Sequence, residues 1–199
     1  MSNAIVISAF PACGKSTYYR EWSQYSKENV WRKRNNGEQV LNNIGLPCGK
    51  KILDSDSSEF SWIKDEYGNN TDIRNTEFPN NYINHIKERL ESEDIIFVSS
   101  HDSVRKALEK NNIEYYLVYP DKCLLDKWVY RMNKRGNDEK FIKFITSNWD
   151  KFIDDIEAET FPTKIKLEDD SYYNAITVRL MNDKILDCKC YELKDDDRI

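Results

Sequence analysis

The stretch AIVISAFPACGKST, residues 4–17, decides the fold expected for this chain. Its first four residues are apolar, as in a buried strand, and Gly14-Lys15-Ser16 follow at the spacing of a phosphate-binding loop that opens a helix. Glycine at position 14 lets the backbone approach a phosphate where a side chain would collide. The loop amides and the start of the helix then direct partial positive charge at that phosphate. The stretch therefore predicts a strand, a phosphate-binding loop and a helix in succession.

The residues of this loop also predict the cofactors. Lys15 is placed to bridge the β- and γ-phosphates of ATP, and the Ser16 hydroxyl is placed to ligate Mg²⁺. One position departs from the usual pattern, because Ala9 stands where the loop normally begins with glycine. Alanine is the smallest replacement and fits if this residue keeps a negative φ. The residues expected to bind ATP are Ala12, Cys13, Gly14, Lys15, Ser16 and Thr17.

Length and composition are typical of a single globular domain. A chain of 199 residues is long enough to bury one sizeable core. The hydrophobic fraction of 39% is low and the charged fraction of 33% is high, but 5 Trp, 12 Tyr and 8 Phe supply core volume. We expect one domain over residues 1–199, with a polar insertion at 28–50, a lid region at 121–140 and an acidic tail at 183–199.

The cysteines and the absence of long apolar runs indicate the cellular compartment in which the protein is expected. Five cysteines are scattered along the chain, and Cys13 lies inside the predicted loop, where a disulfide would distort the site. This pattern predicts reduced thiols in a cytoplasmic protein. The sequence has no apolar run of about 18 residues and no signal peptide, so no membrane partner is expected. Nothing in the sequence indicates a protein partner.

The basic residues are unevenly distributed. A net charge of −5 argues against a protein that binds along nucleic acid without specificity. Residues 20–51 and 127–143 nevertheless each carry a local charge of +4. Such runs also occur on ordinary solvated helix surfaces. If they flank the phosphate site, they favour an acidic acceptor. Trp22, Tyr25 and Trp31 then offer rings on which a base stacks, or else they fill the core beneath the insertion.

Apolar runs and helical periodicity alternate along the chain, which predicts a parallel sheet between layers of helices. The expected fold is a P-loop NTPase three-layer α/β/α sandwich with a mainly parallel five-stranded sheet and a helical lid. Its ligand site is expected at the carboxyl ends of the strands. The predicted strands are 4–8, 51–53, 94–99, 113–119 and 163–167. The predicted helices are 15–27, a short one at 39–44, one opening at 78–80, 104–110, 121–135, an amphipathic core stripe at 138–157 and one near 172–180.

Two aspartates follow the second predicted strand. Asp54 and Asp56 stand where an acceptor would face the γ-phosphate, and a carboxylate there accepts the proton of an attacking hydroxyl. Alternating Asp and Ser is also common in turns, because these side chains cap local backbone amides. Asp56 is the favoured base, and Asp54 the residue that supports Mg²⁺.

The loop after the central strand reads Ser99-Ser100-His101-Asp102 and places no carboxylate at the strand end. That absence argues against a motor-type ATPase. His101 is expected to make a polar loop contact or a substrate contact.

Arg131 and Arg135 lie four residues apart on a predicted helix that Gly136 ends. Two guanidinium groups so placed are suited to stabilise the oxygens of a transferring phosphate. The same spacing is common on helix surfaces, so the alternative is a pair of solvated side chains.

The whole layout resembles the P-loop kinases and, among them, the phage-type 5′-polynucleotide kinase domain. The resemblance covers residues 4–157 and is carried by the loop, the Asp-containing stretch after the second strand, and the pattern Arg131-Met132-Asn133-Lys134-Arg135-Gly136. It implies that Lys15 and Ser16 contact ATP and Mg²⁺. It also implies that Asp54 or Asp56 is the base and that Arg131 and Arg135 are lid arginines.

Three functions are compatible with these features. The first is an ATP-dependent phosphotransferase that moves the γ-phosphoryl group to a hydroxyl group of an acceptor. This acceptor is a nucleic-acid end, a nucleotide or nucleoside derivative, or a small metabolite. The second is a nucleoside monophosphate kinase, whose acceptor phosphate would be bound by arginines such as Arg74, Arg89 and Arg105. The third is a non-catalytic nucleotide-binding regulatory protein.

Overall fold

The computed structural model of the protein describes residues 4–16, 19, 31–33, 39–41 and 51–168, with 31–33 and 39–41 described by backbone alone. The strands of the main sheet are β1 (Ile5–Ala9), β4 (Ile52–Asp54), β7 (Ile95–Ser99), β8 (Tyr116–Pro120) and β9 (Thr163–Leu167). Two hairpins join β2 (Trp31–Lys33) to β3 (Gln39–Leu41) and β5 (Trp62–Lys64) to β6 (Asn70–Arg74). The helices bounded within the described residues are α1 (Ser58–Ser61), α2 (Asn80–Arg89), α3 (Asp102–Lys110), α4 (Leu125–Arg135), α5 (Glu139–Ser147) and α6 (Trp149–Ala158).

The main sheet has the order β4-β7-β1-β8-β9, and every neighbouring pair is parallel. From β1 the chain passes to β4 at one edge of the sheet and then to β7. From β7 it passes over β1 to β8. The connections that follow β1 and β7 therefore run toward opposite edges of the sheet, which defines a switch point between these two strands. Ala9 and Ser99, at the ends of β1 and β7, lie side by side. In parallel α/β sheets, ligands bind in the crevice at such a switch point. The predicted α/β fold with a five-stranded parallel sheet and flanking helices is confirmed.

The central position of β1 and β7 in the sheet explains why their residues are mostly apolar. Residues 95–98 of β7 are all buried, as are residues 6–9 of β1. A strand covered by helices on both faces is expected to be apolar throughout rather than alternating. The helices complete the core with one face each, and the largest of the fully buried helical side chains are Trp128, Tyr82, Ile83, Ile86, Leu108, Met132 and Ile153.

The short helix predicted over 39–44 is wrong where the structure describes that segment. Gln39–Leu41 is strand β3, and it pairs antiparallel with β2 through the partners Arg32 and Val40. The sequence contains a reason, because Val40 is β-branched and such residues favour strands. The basic segment 32–34 therefore begins within a hairpin.

The hairpin β5–β6 was not predicted. Its turn is held by Asp65, whose carboxylate accepts the backbone N–H groups of Tyr67 and Asn69 at 2.9 and 2.8 Å, and Gly68 takes a positive φ of 82°. Its strands have no readable sequence signal, because β5 has three residues and shows no alternation.

Several predicted helix bounds shift. The amphipathic stripe at 138–157 forms two helices that meet at Asn148 (φ −115°), and Phe144 of α5 is 56% exposed rather than part of the core. The predicted 121–135 helix begins with a 3₁₀ turn over Lys122–Leu124 and ends, as expected, at a left-handed Gly136 with φ 81°.

At the preceding helix, α3 begins at Asp102 rather than at residue 104, and the Asp102 carboxylate pairs with Lys106. The predicted strand at 113–119 begins only at Tyr116, because the Ile113 N–H closes the end of α3 on the Leu108 carbonyl.

The helix predicted near 172–180, most of that at 15–27 and the acidic tail lie outside the described residues. Among the residues that are described, no helix is long and apolar enough to cross a membrane.

Candidate functional site

The loop over residues 10–14 leaves the carboxyl end of β1 in a tight conformation. The Phe10 N–H donates to the Val118 carbonyl at 2.9 Å, and the Cys13 N–H donates to the Phe10 carbonyl at 3.2 Å. Gly14 has φ 93°, which glycine adopts without steric cost, whereas Ala12 has φ 63°, which costs a side-chain-bearing residue about 1 kcal/mol or more. A strained backbone held in a tight loop is typical of a functional site.

Ala9 fits this arrangement. It is the last residue of β1 and is paired with Ser99 and Val118, so its backbone is extended and its φ negative. The condition stated for alanine at this position, a negative φ, is therefore met.

Aromatic side chains support the loop from the core. The Trp128 indole N–H donates to the Pro11 carbonyl at 2.8 Å, and Trp128 is fully buried. The ring of Phe10 meets Trp149 edge-on with 5.6 Å between centroids and lies 6.5 Å from Phe152. Helices α4 and α6 therefore fix the position of the loop.

Cys13 is a structural thiol. It is 2% exposed, and its Sγ lies 3.9 Å from the Val118 carbonyl oxygen. Burial raises the pKa of Cys13 to about 12, although the positive charge of Arg131 acts in the opposite direction. The thiol therefore stays protonated and unreactive at neutral pH, and it is not in a disulfide.

Lys15 and Asp54 form the central ion pair of this region. The Lys15 ammonium lies 2.9 Å from Asp54 Oδ1, and the two side chains are 20% and 12% exposed. Asp54 is the last residue of β4, and β7 lies between β4 and β1 in the sheet. Lys15 therefore reaches across the carboxyl end of β7, which brings together two side chains that the sequence predicted to share a site.

Asp56 stands two residues farther along and has a different environment. It is exposed, and its Oδ1 accepts the Ser58 N–H at 2.9 Å at the start of α1. The turn-capping role that sequence analysis left open is thus observed at Asp56. Its exposure also leaves the carboxylate accessible from solvent.

Tyr82 joins the loop after β4 to the end of β7, a role that was not predicted from the sequence. Its hydroxyl donates to the Ser55 carbonyl at 2.7 Å and accepts the Ser99 N–H at 3.3 Å. Burial raises the pKa of Tyr82 to about 12, and the charges of Asp56 and Asp54 act in the same direction. The helical spacing of Tyr82 indicated only a core position, and the partner of a buried tyrosine hydroxyl depends on tertiary structure.

The loop after β7 is held by an ion pair. Arg105 is 5% exposed; its Nε donates to Glu159 Oε1 at 2.8 Å and its Nη1 donates to the Ser100 carbonyl. The adjoining His101 ring meets Phe78 edge-on at 6.5 Å between centroids. Partial burial lowers the pKa of His101, as do the charges of Arg74 and Arg105, while Asp56 raises it. His101 is therefore mainly neutral at pH 7.

The two predicted lid arginines lie in different surroundings. Arg131 is 4% exposed, its Cζ lies 4.2 Å from the centroid of the Trp128 ring, and its charge acts on Cys13 in the loop. Arg135, one turn farther along α4, is exposed. The structure brings Arg131 to the loop and leaves Arg135 at the surface.

The donor groups near Lys15 are suited to Mg²⁺ in a nucleotide complex. Within the described residues, no group of three or more His, Cys, Asp or Glu side chains could hold a metal ion alone. Mg²⁺ in nucleotide sites typically takes one or two protein ligands, with phosphate and water oxygens completing the shell. The Ser16 hydroxyl, where the chain turns helical, and the Asp54 carboxylate supply this number of oxygen donors. Thr17 lies outside the described residues.

Comparison of the chain with protein-family models finds no match, and comparison with curated protein sequences finds none either.

Proposed function

We propose that this protein is an ATP-dependent phosphotransferase of the P-loop kinase type that moves the γ-phosphoryl group to a hydroxyl acceptor. The observation that carries the proposal is the Lys15–Asp54 pair, 2.9 Å apart at the carboxyl ends of parallel strands. It is supported by the tight loop with positive φ at Ala12 and Gly14, which lies beside the switch point of the sheet.

In this proposal, the residues of the loop bind and neutralise the phosphates. Lys15 bridges the β- and γ-phosphates, and Ser16 and Asp54 hold Mg²⁺, which supplies charge neutralisation when bound. Arg131 adds positive charge beside Cys13, and Arg135 remains a predicted lid arginine. Free thiols at Cys13 and Cys123 fit the cytoplasmic location predicted from the sequence.

Asp56 is the proposed base. Its exposed carboxylate accepts the proton of the acceptor hydroxyl as the oxygen attacks the γ-phosphorus, and ADP leaves. Tyr82 places this residue indirectly, because it anchors Ser55 to the end of β7. The acceptor is proposed to be a nucleotide, a nucleoside derivative or a nucleic-acid end.

The substitution Asp56→Asn is expected to lower kcat by about 10²–10⁴-fold, the usual contribution of a positioned base. The KM for ATP should change little, since Asp56 is not assigned to the phosphates. Asp54→Asn is instead expected to raise the Mg²⁺ concentration needed for half-maximal rate. Steady-state kinetics against an acceptor found by screening measure both effects.

Asp155→Asn is the matched control, because Asp155 is an exposed aspartate of α6 on a different part of the fold. It should keep wild-type kinetics. Full turnover in a folded Asp56→Asn protein would exclude the base role and favour an acceptor that is already a phosphate.

A further inference from the structure

The Lys15–Asp54 ion pair joins two residues to which the proposed function gives different partners. Lys15 is assigned to the phosphates of ATP, and Asp54 is assigned to Mg²⁺. In the structure, the Lys15 ammonium donates to Asp54 Oδ1 at 2.9 Å. An ammonium at this distance weakens the attraction of the carboxylate for a cation, and the carboxylate weakens the attraction of the ammonium for phosphate. The contact therefore competes with both assigned roles.

Asp54 is the fixed member of the pair. It lies beside Phe97 of β7 in the register of the sheet. The next residue, Ser55, donates its N–H to the Phe97 carbonyl at 2.9 Å and accepts the Tyr82 hydroxyl on its own carbonyl at 2.7 Å. Lys15 instead reaches the carboxylate with a long, flexible side chain. The ammonium can therefore leave while the carboxylate keeps its position.

A second ion pair shows what a permanent contact looks like in this fold. Arg105 Nε donates to Glu159 Oε1 at 2.8 Å, Arg105 Nη1 donates to the Ser100 carbonyl, and the Arg105 side chain is only 6% exposed. Lys15 is 20% exposed, and one hydrogen bond joins it to Asp54. A pair that is deeply buried and held by several hydrogen bonds costs more to break than a partly exposed pair with one. The contact at Lys15 is the one suited to exchanging partners.

We propose that the Lys15–Asp54 contact is an autoinhibitory latch on the nucleotide site. While the latch is closed, Lys15 and Asp54 neutralise each other, and nucleotide or Mg²⁺ alone binds weakly. When Lys15 moves to the phosphates, Asp54 is released for Mg²⁺, and when Asp54 is engaged, Lys15 is released for the phosphates. Each ligand therefore strengthens the binding of the other by the same factor, as linkage requires. The inference rests on the proposed function and adds the regulation of its site.

Titration calorimetry with ATP in the presence of EDTA, which removes Mg²⁺, tests the latch. Asp54→Asn keeps the shape of the side chain and removes the charge that holds Lys15. We expect this variant to bind Mg²⁺-free ATP with about tenfold or higher affinity than the wild type, because Lys15 no longer has to leave a partner. Asp155→Asn, at an exposed aspartate of α6, is the control and should keep the wild-type affinity.

Loss of a negative charge near ATP also strengthens binding by simple electrostatics, without any latch. The substitution Asp54→Asn is therefore repeated in Lys15→Ala, which cannot form the latch, to complete a double-mutant cycle. The latch predicts a gain in ATP affinity that is about threefold or more larger when Lys15 is present than when it is absent. Equal gains in the two backgrounds, or an ATP affinity in Asp54→Asn that does not exceed that of the wild type, would overturn the inference.

The reciprocal measurement uses Mn²⁺, a paramagnetic substitute for Mg²⁺, in the absence of nucleotide. Lys15→Ala should bind Mn²⁺ more tightly than the wild type, since Asp54 is no longer neutralised, and electron paramagnetic resonance of the free ion measures the affinity. In the Asp54→Asn background, Lys15→Ala should give a smaller gain. This measurement decides the question if Lys15→Ala binds ATP too weakly for calorimetry. Mn²⁺ binding that is no tighter in Lys15→Ala than in the wild type would overturn the latch.

These binding measurements need no acceptor, so they separate the latch from the proposed function. The expected affinities, combined with no phosphorylation of any acceptor, would support the latch and exclude the transferase. Phosphoryl transfer by the wild type, combined with an unchanged affinity for Mg²⁺-free ATP in Asp54→Asn, would overturn the latch alone. Circular dichroism melting confirms that each variant is folded.

Discussion

Replacing Lys15 with alanine is expected to lower the rate of phosphoryl transfer by at least about 10²–10³-fold, the effect of losing one preorganised charge donor. The substitution also removes the 2.9 Å contact with Asp54. Because the pair is only partly buried, the free energy of unfolding should fall by about 1–2 kcal/mol, between the values for exposed and buried pairs. The protein should therefore remain folded while its activity is lost.

Initial-rate kinetics and urea unfolding measure the two effects separately. Lys51→Ala is the matched control, because Lys51 is an exposed lysine that precedes β4 at the opposite end of the sheet. It should keep both the wild-type rate and the wild-type stability. A folded Lys15→Ala protein with full ATP-dependent turnover would contradict the role assigned to Lys15.

The largest effect on stability is expected at Trp128. Trp128→Ala should lower the free energy of unfolding by about 3–5 kcal/mol, because it empties a fully buried site beneath the loop. The side chain lies 6.1 Å from Trp149 between centroids, and Arg131 stacks on its ring. Trp128→Phe keeps most of the volume but removes the donor to the Pro11 carbonyl, so its expected cost is about 1–2 kcal/mol.

Urea unfolding followed by circular dichroism measures both Trp128 variants. Tyr130→Ala, two residues farther along α4 and 65% exposed, is the control and should change stability by less than about 0.5 kcal/mol. Trp128→Phe should also weaken ATP binding, since the Pro11 carbonyl loses the contact that fixes the loop. Unchanged stability and ATP affinity in Trp128→Phe would show that this hydrogen bond does not hold the loop.

The sequence predicted the sheet well because its central strands carry a strong local signal. The apolar runs at 4–7 and 95–98 are long enough to identify buried strands, and all five predicted strands occur with bounds shifted by at most a few residues. Gly136 ended its helix as expected because a left-handed backbone there favours glycine. These are local preferences that tertiary structure reinforces.

The structural features that were not predicted from the sequence depend on contacts between residues that are distant in the chain. The hairpin strands β3 and β5 have three residues each, too few for alternation to be read. Arg131 and Arg135 looked equivalent at i and i+4, yet packing against Trp128 buries only Arg131. The bridging hydroxyl of Tyr82 and the stacking of Arg74 on Trp62 have no local sequence signature, since each partner is set by the fold.

Transfer of the γ-phosphoryl group of ATP by this chain can be followed directly in a labelling experiment. The protein is incubated with Mg²⁺ and ATP radiolabelled on its γ-phosphate, in the presence of pooled nucleosides, nucleotides, sugar phosphates and 5′-hydroxyl oligonucleotides. We expect label to move to an acceptor and an equal amount of ADP to form, and we expect Lys15→Ala and removal of Mg²⁺ by EDTA each to abolish the transfer. Release of label only as inorganic phosphate, or no consumption of ATP with any acceptor, would contradict it.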